Sequence, residues 1–286
     1  MGAAPDSPRP HWIGTLLYVP LLYGLGWLSA RPFGLLFPSW RPDQLDLAGA
    51  AIALVLLLAT LPWRLRRAWD SPTPWRSLGV VVAPAAGVRA FGRGLLKAVL
   101  LLVGVSGVLV ATGQARWGGT LTAAEGLNAL ALLLGVGFAE ELLFRGWLWG
   151  ELELLAGRRR AIGLQAAIFA LVHPWTRLPG PEALALLGGL VLLGLVLALQ
   201  RRADGGALWG AVGLHGGLVG GWFALLAGPL QIAPGAPAWL VGAGSTSPNP
   251  IGGLLGWLGL GALLWVRRRW WSPGAGPAGR ALDAQP

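Results

Sequence analysis

The feature that most constrains this 286-residue chain is a succession of long apolar runs carrying almost no charge. A helix that crosses the hydrocarbon core of a bilayer needs about 20 apolar residues, within a range of roughly 17 to 25. Eight stretches meet or approach that requirement: 12–30, 46–63, 94–113, 124–150, 161–176, 183–200, 206–228 and 251–266. The fifth is short, but Arg158, Arg159 and Arg160 mark its start, and Pro179, Gly180 and Pro181 punctuate its exit. Only 12% of the residues are charged, about half the share usual in a soluble domain. Lipid must therefore cover surface that charge would otherwise solvate. The pattern predicts an all-α, polytopic transmembrane helical bundle of about eight spans.

The net charge of +10 sits in short arginine clusters between the apolar runs. That placement suits loops facing anionic lipid and argues against a nucleic-acid partner. With the N-terminal side called A, 17 Lys and Arg fall on side A and 4 on side B: Arg31, Arg41, Arg116 and Arg177. The remaining one, Arg145, lies inside the fourth run. This asymmetry predicts eight spans with both termini cytoplasmic, and the Ala/Gly/Arg/Pro-rich composition points to a GC-rich bacterial genome and so to a bacterial cell membrane. Many of the 17 tryptophans, among them Trp12, Trp63, Trp69, Trp117, Trp175 and Trp270, lie at the ends of apolar runs, as an interfacial belt requires. There are no cysteines, which removes disulfides, thiolate metal sites and a thiol nucleophile together.

The predicted organisation has four parts. Residues 1–123 form N-terminal transmembrane helices, the first run being a retained span, with a cytoplasmic Arg/Pro-rich loop at 64–93. Residues 124–228 form a helical core, 229–271 a final loop and span, and 272–286 a disordered tail.

Charged groups at membrane depth cost about 2.5 to 3.5 kcal/mol each on insertion scales. Most acidic residues avoid that cost by lying in loops or near helix ends; Glu140 and Glu141, in GFAEELLFRGWLWGEL, do not. Arg145 follows Glu141 at i,i+4, so these two side chains share a face and can pair. Glu140 points about 100° away and is left for another use. His173, in IFALVHPW, and His215, in GLHGGLVGGW, are also intramembrane. Counted from the side-A ends of their runs, Glu140, His173 and His215 all fall roughly 13–18 Å deep at the helical rise. One carboxylate and two imidazoles at one level suit activation of a water, with Glu140 as general base. The histidines would orient the substrate, donate to a developing oxyanion, or bind a metal.

Plainer readings compete. An isolated Glu141–Arg145 pair is more often structural, and so is many a lone intramembrane histidine; the convergence of all of them is what favours function. The glycines Gly213, Gly216, Gly217, Gly220 and Gly221 around His215 read as tight helix packing. The tetrapeptide Gly104-Val105-Ser106-Gly107 matches a serine-protease GxSG pattern, yet that reading leaves Glu140, Glu141, Arg145 and His173 unexplained. A proton relay in a transporter would call for inverted repeats with broken helices, which the sequence does not display.

The order Glu-Glu-x-x-x-Arg (Glu140, Glu141, Arg145), Phe-x-x-x-His (Phe169, His173) and a later His215 resembles the CPBP family. This family groups CAAX prenyl endoproteases with bacteriocin-processing and immunity-related, Abi-like membrane proteins. The resemblance covers roughly residues 124–226 and implies an intramembrane glutamic-type endopeptidase acting on a membrane-associated or lipidated protein, with membrane lipids as its other partners. By that resemblance Glu140 activates the attacking water and His173 helps hold it. Glu141 with Arg145 structures the site, and His215 contributes to the oxyanion hole. No cofactor is implied; the alternative is a metalloprotease with Zn²⁺ on Glu140, His173 and His215, although no His-Glu-x-x-His occurs. One departure stands out. The family's third motif is His-x-x-x-Asn, and here the fourth residue after His215 is Val219, which cannot donate a hydrogen bond. That favours either a rebuilt oxyanion hole or a non-proteolytic scaffold or immunity protein of the same fold.

Overall fold

A computed structural model describes residues 10–244 and 248–271; the tail predicted at 272–286 lies outside them. The chain forms two compact units, Met1–Ser77 and Leu78–Pro286.

In the first unit α1 (Trp12–Ala30) is followed by a short α2 (Phe33–Leu36), a long α3 (Pro42–Ala68) and a short α4 (Pro74–Ser77). His11 caps α1, its Nδ1 accepting from the Gly14 amide at 3.0 Å. Pro42 opens α3 at a position where no amide hydrogen bond is lost. The two long helices pack through small residues, since a Cβ on Gly26 would lie 2.7 Å from the Ala53 nitrogen. Polar links join them as well: Tyr18 to Thr60 at 2.6 Å, and Arg31 to Asp46 at 2.5 Å.

The second unit begins with α5 (Pro84–Ala111) and β1 (Ala115–Trp117). Next comes one helical rod, Ala123–Ala156, made of α6 (Ala123–Ala131), α7 (Gly137–Glu141) and α8 (Trp149–Ala156) joined by π-helical turns at Leu132–Val136 and Leu142–Leu148. Then follow α9 (Arg158–Leu171), α10 (Gly180–Ala203), α11 (Trp209–Ala227), β2 (Leu230–Ile232), α12 (Ala238–Val241) and α13 (Leu254–Arg267). Thr122 and Glu125 close a reciprocal capping box that starts the rod. The three-residue strands β1 and β2 pair antiparallel, Ala115 opposite Ile232. They are too short to have left a signal in the sequence pattern.

Helix α5 shows how the apolar pattern is used. It buries Gly87, Ala90, Gly94, Ala98, Leu102, Ser106 and Leu109, and exposes Leu96, Val99, Leu100 and Val103. Small residues face protein and large ones face outward, the arrangement expected where lipid is the solvent. Its inner face meets α11, where Gly94 approaches the Leu214 nitrogen and Gly213 approaches the Leu95 nitrogen. On its other side α11 presses Gly216 and Gly220 against the Leu133 backbone and side chain of the π-helical turn. Replacing Gly216 by Val should therefore lower thermal stability by about 1–3 kcal/mol or more through overpacking. Gly104→Val, with nothing within 4 Å of the added Cβ, should leave the melt unchanged in the same detergent.

Six described helices are long and apolar enough to cross a membrane: 12–36, 42–68, 84–111, 123–156, 180–203 and 209–227. The two other expected spans appear as the 14-residue helices α9 and α13. Helix α9 ends early because Pro174 pushes His173 out of helical geometry, to φ −83° and ψ 156°. The expected loop at 64–93 is largely helical at both ends: α3 runs on to Ala68, and Pro84 starts α5 at its first turn. Arg66 and Arg67 fill the last turn of α3, where the helix dipole favours cations.

Candidate active site

The local chain explains which groups face one another. Glu140 and Glu141 end α7, and the π-helical turn that follows rotates Arg145 back over Glu141. Arg145 Nη1 donates to Glu141 Oε1 at 2.8 Å, with both side chains fully buried. His215 Nδ1 meets the same carboxylate oxygen at 2.8 Å. A carboxylate can only accept, so Nδ1 carries the proton and Nε2 of His215 is aimed elsewhere.

That target is Glu140. His215 Nε2 lies 3.8 Å from Glu140 Oε2, and His173 Nε2 lies 3.6 Å from the same atom. His173 is held in this direction by its Nδ1, which donates to the Phe169 carbonyl at 2.6 Å. Both imidazoles thus present Nε2 to one oxygen, and that oxygen is shielded with no hydrogen-bond partner of its own. The side chains of Glu140 and His173 are 29% and 24% exposed, whereas Glu141, Arg145 and His215 are nearly or fully hidden. The accessible face consists of Glu140 and His173; the other three form its base.

Phe169 locks the arrangement. Its fully buried ring lies 4.4 Å from the His173 ring and 5.8 Å from the His215 ring, and meets Phe144 edge-on at 5.0 Å. The Arg145 guanidinium carbon sits 4.1 Å from its centroid, within cation–π range.

All five residues singled out in the sequence, Glu140, Glu141, Arg145, His173 and His215, are brought together. His173, however, lies just past the C-cap of α9, Val172, instead of inside a longer span; the proline at 174 carries that information. Two contributors were not anticipated. The link between Glu141 and His215 joins positions 74 residues apart, beyond the reach of any periodicity argument. Arg201 donates to the carbonyls of Arg145, Leu78 and Gly206, clasping the π-helical turn to the end of α10. Arg201 thereby gives one backbone carbonyl inside the turn a charged donor. Val219 lies one turn after His215 on α11 and is half-buried. Among the described residues, no group of three or more His, Cys, Asp or Glu has the arrangement that holds a metal ion.

Comparison with known proteins gives two matches to family models. Residues 2–73 match a domain of unknown function, DUF8676, and residues 122–220 match the type II CAAX prenyl endopeptidase Rce1-like family. No curated protein and no solved structure matches the chain. The second match spans every residue of the cluster just described, from Glu140 to His215, and sits in a chain with six described helices long and apolar enough to span a bilayer. The protein is an integral membrane protein whose residues 122–220 are similar to the Rce1-like type II CAAX prenyl endopeptidase family, a likeness consistent with the CPBP family of intramembrane proteases.

Proposed function

We propose that this protein hydrolyses a peptide bond in a membrane-associated or lipidated protein, with Glu140 activating the attacking water. The observation that carries this reading is the pair of Nε2 atoms at 3.6 and 3.8 Å from one Glu140 oxygen. These separations exceed a direct hydrogen bond, and they suit a water that donates to Glu140 Oε2 and to one imidazole Nε2, the other imidazole donating to it when protonated at Nε2. Glu140 would take its proton, His173 would orient it, and His215, protonated at Nε2 as well as Nδ1, would donate to the developing oxyanion. Glu141 and Arg145 would fix His215 and remain unreactive. The matched family acts on membrane-associated prenylated proteins, so a prenylated chain is the first substrate class to try. The charge asymmetry supports cytoplasmic termini, and the Ala/Gly/Arg/Pro-rich composition supports a bacterial host.

A zinc-dependent version has one favourable observation. Both imidazoles have Nδ1 engaged, by the Phe169 carbonyl and by Glu141, as metal-binding histidines do. Val219 favours a different outcome, a scaffold without proteolysis.

The deciding experiment is cleavage of a panel of membrane-tethered peptides, prenylated and not, by purified protein in detergent. Activity that resists EDTA supports the glutamate mechanism, and loss restored by zinc supports the metal. Val219→Asn would add a donor at the position the family fills with Asn, and should raise turnover by up to about 100-fold if the oxyanion is under-stabilised. No cleavage by either protein across the panel would favour the scaffold.

A further inference from the structure

Away from the cluster around Glu140, a second group of charges gathers where α5 meets the C-terminal ends of α10 and α13. Arg93 and Lys97 lie one turn apart on α5, Gln200 and Asp204 one turn apart at the end of α10, and Arg267 ends α13. Asp204 is nearly buried and already engaged, by Arg93 at 2.7 Å and by the Gln200 amide at 2.6 Å. The other two cations have no carboxylate partner among the described residues. Lys97 donates to Gln200 Oε1 at 2.5 Å, and Arg267 Nη2 reaches the same neutral oxygen at 3.4 Å. Arg267 Nε is shielded and has no hydrogen-bond partner. Three cations thus surround one acid, within each other's electrostatic reach, leaving two positive charges in excess.

An arrangement of that kind repels itself unless an anion completes it. Its surroundings indicate the kind of anion. Trp265 and Trp271, at the end of α13, are largely exposed, as aromatic residues are at headgroup depth. Arg268 stacks on Trp265 at 4.2 Å, adding a cation to the same rim. Phosphate is the anion abundant at that depth, and Lys and Arg donors match its oxygens.

We propose that Arg93, Lys97 and Arg267 hold the phosphate of an anionic phospholipid headgroup at the junction of α5, α10 and α13. The site is separate from the proteolytic reading and stands whether or not that reading is correct.

The test is lipid retention by the full chain in detergent, measured by native mass spectrometry and by thermal shift, with phosphatidylglycerol, phosphatidylcholine and inorganic phosphate as probes. Wild type should retain phosphatidylglycerol in preference to phosphatidylcholine and melt higher with it. Lys97→Gln and Arg267→Gln should each weaken retention about fivefold, while Arg116→Gln, at an exposed position on β1, should not. Asp204→Asn removes the one acid and should tighten retention, a gain that a merely damaged fold would not produce. Equal retention of the two lipids, unchanged retention in the glutamine variants, or weaker retention in Asp204→Asn would overturn the proposal. Displacement of the lipid by inorganic phosphate at equal concentration would overturn the lipid assignment in favour of free phosphate.

Discussion

Glu140→Gln is expected to cut peptide cleavage about a thousandfold or more, within the range that a positioned general base contributes, while leaving the melting temperature essentially unchanged. The amide keeps the shape of the carboxyl group and removes the basicity that water activation needs. Glu140 is partly exposed and makes no direct hydrogen bond through Oε2, so the fold does not depend on its charge. Single-turnover cleavage of a tethered peptide, together with a melt in the same detergent, reads both halves of this expectation. Activity within tenfold of wild type in a normally melting Glu140→Gln protein would mean that another group activates the water.

The second large effect is on stability. Glu141→Ala leaves the Arg145 guanidinium fully buried without its carboxylate, and breaking a buried pair in this way typically costs about 3–5 kcal/mol. The double variant Glu141→Gln with Arg145→Met removes both charges together and should recover most of that loss. Cleavage should stay low even so, because His215 no longer has an anion on Nδ1 to hold Nε2 toward Glu140. Melting curves of the three proteins and their cleavage rates separate the two roles. If Glu141→Ala melts within about 0.5 kcal/mol of wild type, as a surface substitution would, the pair is not what stabilises this part of the fold.

What the sequence made legible follows from how costly certain residues are. An acid or imidazole inside an apolar run is conspicuous because lipid offers it nothing, and so Glu140, Glu141, Arg145, His173 and His215 could be picked out without coordinates. The i,i+4 pairing of Glu141 with Arg145 is a local consequence of helix geometry and was equally readable. Contacts between distant positions were not. Which histidine Glu141 holds depends on how α11 packs against the rod, and that packing is set by close backbone approach at Gly137 and Gly216, where only the small-residue pattern gives a hint. The π-helical turns leave no compositional trace, so the Arg201 clasp was hidden with them. His173 is a different case: its proline neighbour pointed to a helix end, and the apolar run across 161–176 masked it.

The early end of α9 has a consequence for the bilayer itself. Fourteen residues rise about 21 Å, against a hydrocarbon thickness of about 30 Å. Were α9 to face lipid, the bilayer beside it would have to thin, or polar material to dip inward, to cover the difference. His173 stands just past the end of α9 and turns its Nε2 toward Glu140. On the proposed mechanism the site needs a supply of water, and hydrophobic mismatch at a short helix would be one route by which the aqueous phase reaches Glu140. On that mechanism the acyl-chain length of the surrounding membrane would become a parameter of the reaction, setting how readily water reaches the carboxylate.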